Sequence, residues 1–66
     1  MTLDRLADLL TKNGVEFRRT KTYLVIKSPI RCSVAVDSNV VPKIFPAYYV
    51  ESEDRFVWFA GRVLGL

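Results

Sequence analysis

The chain cannot stabilise its fold with an internal disulfide bond or a structural zinc site of its own. Its 66 residues include a single cysteine, Cys32, and no histidine. One thiol cannot form an internal disulfide, and a structural zinc site normally needs four Cys or His ligands. A domain this short buries only about 60% of the surface that its unfolded chain exposes, so a dense core must hold it. Half of the residues are apolar, which predicts one domain with such a core over residues 1–66.

The N-terminal segment predicts an amphipathic helix. Thr2 is a suitable N-cap for a helix that begins at Leu3, and Asp4 in its first turn suits the helix dipole. Asn13 and Gly14 favour a helix end, because glycine readily adopts the left-handed conformation found there. Helical spacing relates the four leucines of the expected buried face: Leu3, Leu6, Leu9 and Leu10.

The following segments alternate with period two, which is typical of strands. The stretches 15–19, 22–28 and 30–37 are rich in β-branched and aromatic residues, and turn-forming residues separate them. In the third stretch, Cys32 and Val34 share the side that we expect to face the core. The Cys32 thiol should therefore be buried and unreactive, because an apolar site raises the pKa of a thiol.

The second half of the chain combines prolines with a cluster of aromatic residues. Pro42 and Pro46 exclude a central strand, so the segment around them is predicted as an extended crossover that covers an edge of the core. We interpret the stretches AYYVES and RFVWFAGRVL as a second hairpin that turns at Glu53 and Asp54. The alternative is that the tail becomes helical after Trp58.

Together these elements predict an α+β fold of two layers. We expect the N-terminal helix to pack on one face of a small antiparallel sheet of about five strands. One helix covers only one face of such a sheet. Whether the second face is exposed or covered therefore depends on the aromatic residues and the crossover.

The aromatic residues of the expected second hairpin lie on both of its faces. Exposed apolar patches mark protein interfaces, and Trp and Tyr are favoured anchors there. A symmetric homodimer through RFVWFAGRVL would bury the same surface, because few charges protect the middle of that strand. The alternative is that the crossover folds over the second face. The predicted protein-interface residues are Tyr48, Phe56 and Trp58.

Basic residues concentrate in one third of the chain. Residues 17–36 contain five cations and no acid, although the net charge of the whole chain is only +3. Strand alternation places Arg18 and Arg19 on opposite faces. Such cations suit phosphate contacts, with Tyr23 and Tyr48 available to stack on bases; alternatively, they only protect strand edges from pairing. The predicted contacts for nucleic acid or an acidic partner are Arg18, Arg19, Lys21, Lys27 and Arg31.

The chain lacks the residues of common catalytic chemistry. Without histidine it has neither the usual general base near neutral pH nor a Ser-His or Cys-His pair. Asp4 and Asp8 lie one helical turn apart, but acids on a helix surface are usually only solvated. The chain also has no GxxxxGK phosphate loop. The sequence therefore predicts that the protein is not an enzyme and has no metal or cofactor.

The stretch LADLLTKNGVEFRRTKTYLVIKS, about a third of the chain, resembles the HicA family of small toxins. The resemblance implies a helix that ends near a glycine, then antiparallel strands, in a double-stranded-RNA-binding-like fold. The catalytic histidine of that family would fall near Thr22 or Tyr23 and is missing, as is its Gly-Ser lead-in, so no site residue is carried over. The similarity rests on Leu9, Leu10, Gly14 and Arg19.

Size, density and aromatic content favour a small non-catalytic protein-interaction module. We expect a regulator or inhibitor that docks on a larger protein, of a kind that phages encode. The alternative is a nucleic-acid-binding protein that uses the basic hairpin of residues 18–31. No apolar run approaches the roughly 20 residues of a membrane span, and one free cysteine fits a reducing cytoplasm. We therefore expect a cytoplasmic protein without membrane contact.

Overall fold

The computed structural model describes all of residues 1–66 as a four-stranded sheet with two helices. The α+β class and the N-terminal helix packed on a sheet are confirmed. In chain order the elements are α1 (Leu3–Lys12), β1 (Glu16–Arg19), β2 (Leu24–Ser28), β3 (Cys32–Ala35), β4 (Ala47–Tyr49) and α2 (Glu53–Arg62).

The helix α1 has the boundaries that its capping residues predict. The Thr2 side-chain oxygen accepts a hydrogen bond from the Arg5 backbone N–H at 3.1 Å. Leu6 and Leu10 are fully buried on its inner side. Gly14 follows the helix with φ +70°, a left-handed conformation that costs glycine little. Neither α1 nor α2 is long and apolar enough to cross a membrane.

The sheet has the order β1-β2-β3-β4 and is mixed. The strands β1, β2 and β3 pair antiparallel, whereas β4 pairs parallel to β3. The expectation of about five strands, all antiparallel, is wrong in these two details. A parallel neighbour requires a long crossover rather than a tight turn, and residues 36–46 provide it.

Both helices pack against the same face of the sheet, here called the helix-covered face. Leucines of α1 and phenylalanines of α2 meet the inward side chains of β2 and β3 in one apolar cluster. The predicted burial of Cys32 is confirmed, and burial raises the pKa of its thiol. The largest fully buried side chains of this core include Phe59, Leu6, Leu10, Leu24 and Ile26.

The C-terminal segment is the helix α2, so the prediction of a second hairpin is wrong. The Ser52 side-chain oxygen accepts from the Arg55 backbone N–H at 3.2 Å and caps the helix. Phe56 and Phe59 lie three positions apart and are buried together. The segment RFVWF prefers strands by its composition. The Ser52 cap and the apolar face formed by Phe56 and Phe59 stabilise the helix more than this preference favours a strand. The helical alternative had the correct element type, but the helix begins well before Trp58.

This helix changes the role of the predicted interface residues. Phe56 is buried in the core, and the Tyr48 ring packs on Phe59 with centroids 5.4 Å apart. Trp58 remains 41% exposed, with the Arg55 guanidinium carbon 4.1 Å from its ring centroid. Phe56 and Tyr48 therefore stabilise the core instead of forming an exposed patch. The proposed homodimer through an edge strand loses its basis, because that strand is a helix.

Residues 36–46, here called the covering segment, fold over the face opposite the helices, the outer face. The Ser33 hydroxyl donates to the Ile44 carbonyl at 2.6 Å, and the Ser33 N–H donates to the Pro46 carbonyl at 2.9 Å. The Tyr49 hydroxyl donates to the Val40 carbonyl at 2.8 Å. The sequence left open the alternative that the crossover folds over the second face of the sheet. The structure confirms this alternative.

Candidate functional site

Strand β1 separates two consecutive arginines between the faces of the sheet. Arg19 shares the helix-covered side with Phe17, and its guanidinium lies 2.6 Å from an Asp4 carboxylate oxygen on α1. Arg18 points to the outer face, beside its cross-strand partner Val25. The predicted split of Arg18 and Arg19 is confirmed, and only Arg19 has its charge balanced by an acid.

On the outer face a concave cavity of about 330 Å³ opens to solvent. Its position follows from the sheet register, because Val25 lies between Arg18 on β1 and Ser33 on β3. The lining residues are Arg18, Val25, Lys27, Arg31 and Ile44. We call this site the basic cavity.

Strand alternation brings the other two cations to the outer face. Lys27 follows Val25 by two residues, and Ile26 between them belongs to the core. The pairing of β1 with β2 is irregular beside Lys27, because Phe17 pairs with Ile26 whereas Glu16 pairs with Ser28. Arg31 stands immediately before β3, across the turn that joins β2 to β3. Three separate backbone positions thus converge on one cavity.

The cations of the basic cavity form no ion pairs with acidic side chains. No carboxylate lies within 4.0 Å of the charged nitrogens of Arg18, Lys27 or Arg31. Like charges gathered at one place repel one another, and an anion in the cavity would relieve that repulsion. The cavity therefore presents three cations that form no ion pair with an acid of the chain.

The apolar part of the cavity is Val25 and Ile44. Val25 is only 7% exposed although it points away from the helices, and Ile44 is half-buried on the covering segment. The cations supply hydrogen-bond donors and no acceptors. The lining therefore suits a ligand with an anionic part and an apolar part.

Five of the seven acidic residues lie in or directly beside the two helices, whereas Glu16 and Asp37 do not. Arg5 donates to both carboxylate oxygens of Glu53 at 3.2 Å and joins α1 to α2. Hydrogen bonding from Arg5 and the positive charge of its guanidinium hold the pKa of Glu53 below its ordinary value. Asp8 lies 3.3 Å from Arg5 and 3.2 Å from Lys12. Of these contacts, the one between Arg5 and Glu53 connects two elements of the fold, and no acidic residue lines the basic cavity.

The structure brings together three of the five predicted contact residues, Arg18, Lys27 and Arg31. Arg19 pairs with α1, and Lys21 lies in the β1–β2 turn outside the cavity lining. Of the aromatic residues expected to stack on bases, Tyr48 packs into the core and Tyr23 does not line the cavity.

Sequence reasoning missed the two apolar lining residues. Val25 alternates with Leu24 and Ile26, which does indicate that it faces away from the helices. Ile44 gives no such signal, because its place depends on how the covering segment crosses the sheet.

No protein family, curated protein or solved structure matches this chain.

Proposed function

We propose that this protein is a non-catalytic nucleic-acid-binding module that contacts phosphate groups through the basic cavity. The observation that carries the proposal is the convergence of Arg18, Lys27 and Arg31 without a neighbouring carboxylate. The chain would act in the cytoplasm, where its one free cysteine stays reduced.

Phosphate is an anion whose oxygens match the donors of these side chains. A guanidinium group presents planar, paired donors that fit phosphate oxygens, and an ammonium group adds a compact point charge. The outer face continues the charge beyond the cavity, because exposed Lys43 precedes Ile44 on the covering segment. A run of cations of this kind suits the regularly repeated charges of a nucleic-acid backbone, and binding would release condensed counterions.

The arginine pair of β1 offers a matched test. Arg18→Gln and Arg19→Gln remove the same charge from neighbouring positions of one strand, but only Arg18 lines the cavity. We expect wild-type protein to bind a mixed-sequence oligonucleotide at low salt, with log affinity falling linearly with log salt concentration. Arg18→Gln should lower affinity and flatten the slope by roughly 0.7 to 0.9, the value of one phosphate contact. Arg19→Gln should leave the slope unchanged.

Fluorescence anisotropy over a series of salt concentrations measures both quantities. Thermal melting of both variants checks that they remain folded. Absence of binding by wild type at low salt would overturn the proposal, and equal loss in the two variants would show that net charge alone acts. Binding of an acidic protein but no nucleic acid would assign the cavity to a protein partner.

The exposed side of α2 supports a second candidate, a protein-binding regulator or inhibitor. Val57 is 70% exposed beside Trp58, although both are large apolar residues in the middle of a helix. The test is capture of a partner from the source-cell lysate with and without nuclease. Capture that survives nuclease and is lost in Val57→Asp would support this candidate; capture abolished by nuclease would point back to nucleic acid.

A further inference from the structure

We infer that the basic cavity accepts one unpaired nucleotide, so that the protein prefers single strands to duplexes. This inference rests on the proposed nucleic-acid binding and specifies its substrate. The observation behind it is that the cavity joins three cations to two apolar side chains. A nucleotide has two corresponding parts, an anionic phosphate and a base whose flat ring faces are apolar.

The volume of the cavity sets the size of the ligand. About 330 Å³ lies at the lower end of the roughly 300 to 1,000 Å³ found for small-molecule pockets. A single nucleotide unit is a ligand of that scale, whereas a duplex is not. A paired base could enter only after leaving its stack, at a cost of a few kcal/mol that an unpaired base does not incur.

The chemistry of the lining residues indicates where the base and the phosphate of the nucleotide would each lie. The base can lie against Val25 and Ile44, and guanidinium planes also stack on bases that a single strand exposes. Phosphate oxygens can accept hydrogen bonds from Arg18, Lys27 and Arg31. A duplex presents mainly its sugar-phosphate backbone to a surface of this size, so it would leave Val25 and Ile44 without a partner.

The apolar wall of the cavity is held in place before any ligand binds. The Ile44 carbonyl accepts a hydrogen bond of 2.6 Å from the Ser33 hydroxyl, and Ser33 is fully buried on β3. The covering segment is therefore anchored to the sheet at the residue that lines the site. A preorganised wall lowers the entropy cost of binding.

The experiment compares one sequence as a single strand and as a duplex, with wild type and two variants. Ile44→Ser removes the apolar wall, and Val41→Ser is its matched control, because Val41 lies on the same segment but is 78% exposed and outside the lining. We expect wild type to bind the single strand more tightly. Ile44→Ser should weaken single-strand binding by up to about tenfold, the equivalent of about 1.4 kcal/mol of lost apolar contact, and leave duplex binding unchanged. Val41→Ser should behave as wild type.

Four outcomes separate this inference from the proposed function. Tighter single-strand binding that Ile44→Ser alone reduces supports both. Binding of the duplex as tightly as the single strand overturns the inference and leaves nucleic-acid binding standing. Equal losses for Ile44→Ser on both substrates also overturn it, because the wall would then not contact a base. Absence of binding to either substrate overturns the proposed function itself. Thermal melting confirms that the variants are folded.

Discussion

The two faces of the sheet are closed in different ways. On the helix-covered face, side chains from α1 and α2 fill an apolar core around Phe59 and Leu6, both fully buried. On the outer face, a segment without regular secondary structure is tied down through its backbone carbonyls. The first face is closed by apolar side chains alone, whereas the second also depends on hydrogen bonds, and the cavity opens on the second.

The same contrast appears in the charges. Near the helices, Arg5 and Arg19 each have an acidic partner on another element of the fold. On the outer face, Arg18 and its neighbours in the cavity have none within 4.0 Å. We therefore propose that stability and binding belong to opposite faces of one small sheet, and we expect substitutions on the two faces to differ in kind.

The largest expected effect is on the helix-covered face. Phe59→Ala would leave a cavity in the centre of the core and should cost about 3 to 5 kcal/mol of unfolding free energy. A domain of this size has only roughly 3 to 10 kcal/mol in total, so the variant should be largely unfolded. Urea denaturation measures the change, and rapid labelling of Cys32 without denaturant reports the opening. A cost below about 1 kcal/mol would show that the core is not centred on Phe59.

A smaller loss is expected on the outer face. Ser33→Ala removes the hydroxyl that holds Ile44 and should lower the unfolding free energy by about 1 kcal/mol, the value of one hydrogen bond. It should also weaken single-strand binding, because the cavity wall is no longer anchored. Urea denaturation and anisotropy measure the two effects. Unchanged binding in this variant would mean that Ile44 keeps its place without Ser33.

The smallest effect concerns the ion pair that joins the two helices. Arg5 depresses the pKa of Glu53 below its ordinary value of 4.5, so the pair stabilises the fold above that pH. This contribution is lost as the pH falls through the lower pKa of the folded state. Urea midpoints at about pH 7 and about pH 3 should therefore differ less for Glu53→Gln than for wild type. Identical pH dependence would show that the exposed pair adds nothing measurable.

The sequence predicts those parts of the fold that local patterns determine. The cap at Thr2, the leucine spacing and Gly14 define α1, and alternation about Cys32 correctly orients β3. These features depend on neighbouring residues and on which side is apolar, so they can be read without a tertiary structure.

Two parts could not be predicted in this way. In α2, bulky residues such as Trp58 have high strand propensity, and the buried pair Phe56 and Phe59 is recognised only when the Ser52 cap is included. In the basic cavity, the cations come from one continuous basic stretch, but Ile44 arrives through a crossover whose path no local pattern fixes. The position of Ile44 is decided by long-range placement, which leaves no period in the sequence.

The way in which the covering segment is anchored has a consequence for how such a protein can evolve. Its contacts with Ser33 and Tyr49 use backbone carbonyls, which every amino acid possesses. The outward side chains of Val41, Lys43 and Phe45 are exposed and take no part in those bonds. They can therefore change without loss of the fold, as in loops that a rigid scaffold presents. Descendants of one ancestral sequence can in this way differ in the surface of this segment while the sheet stays unchanged.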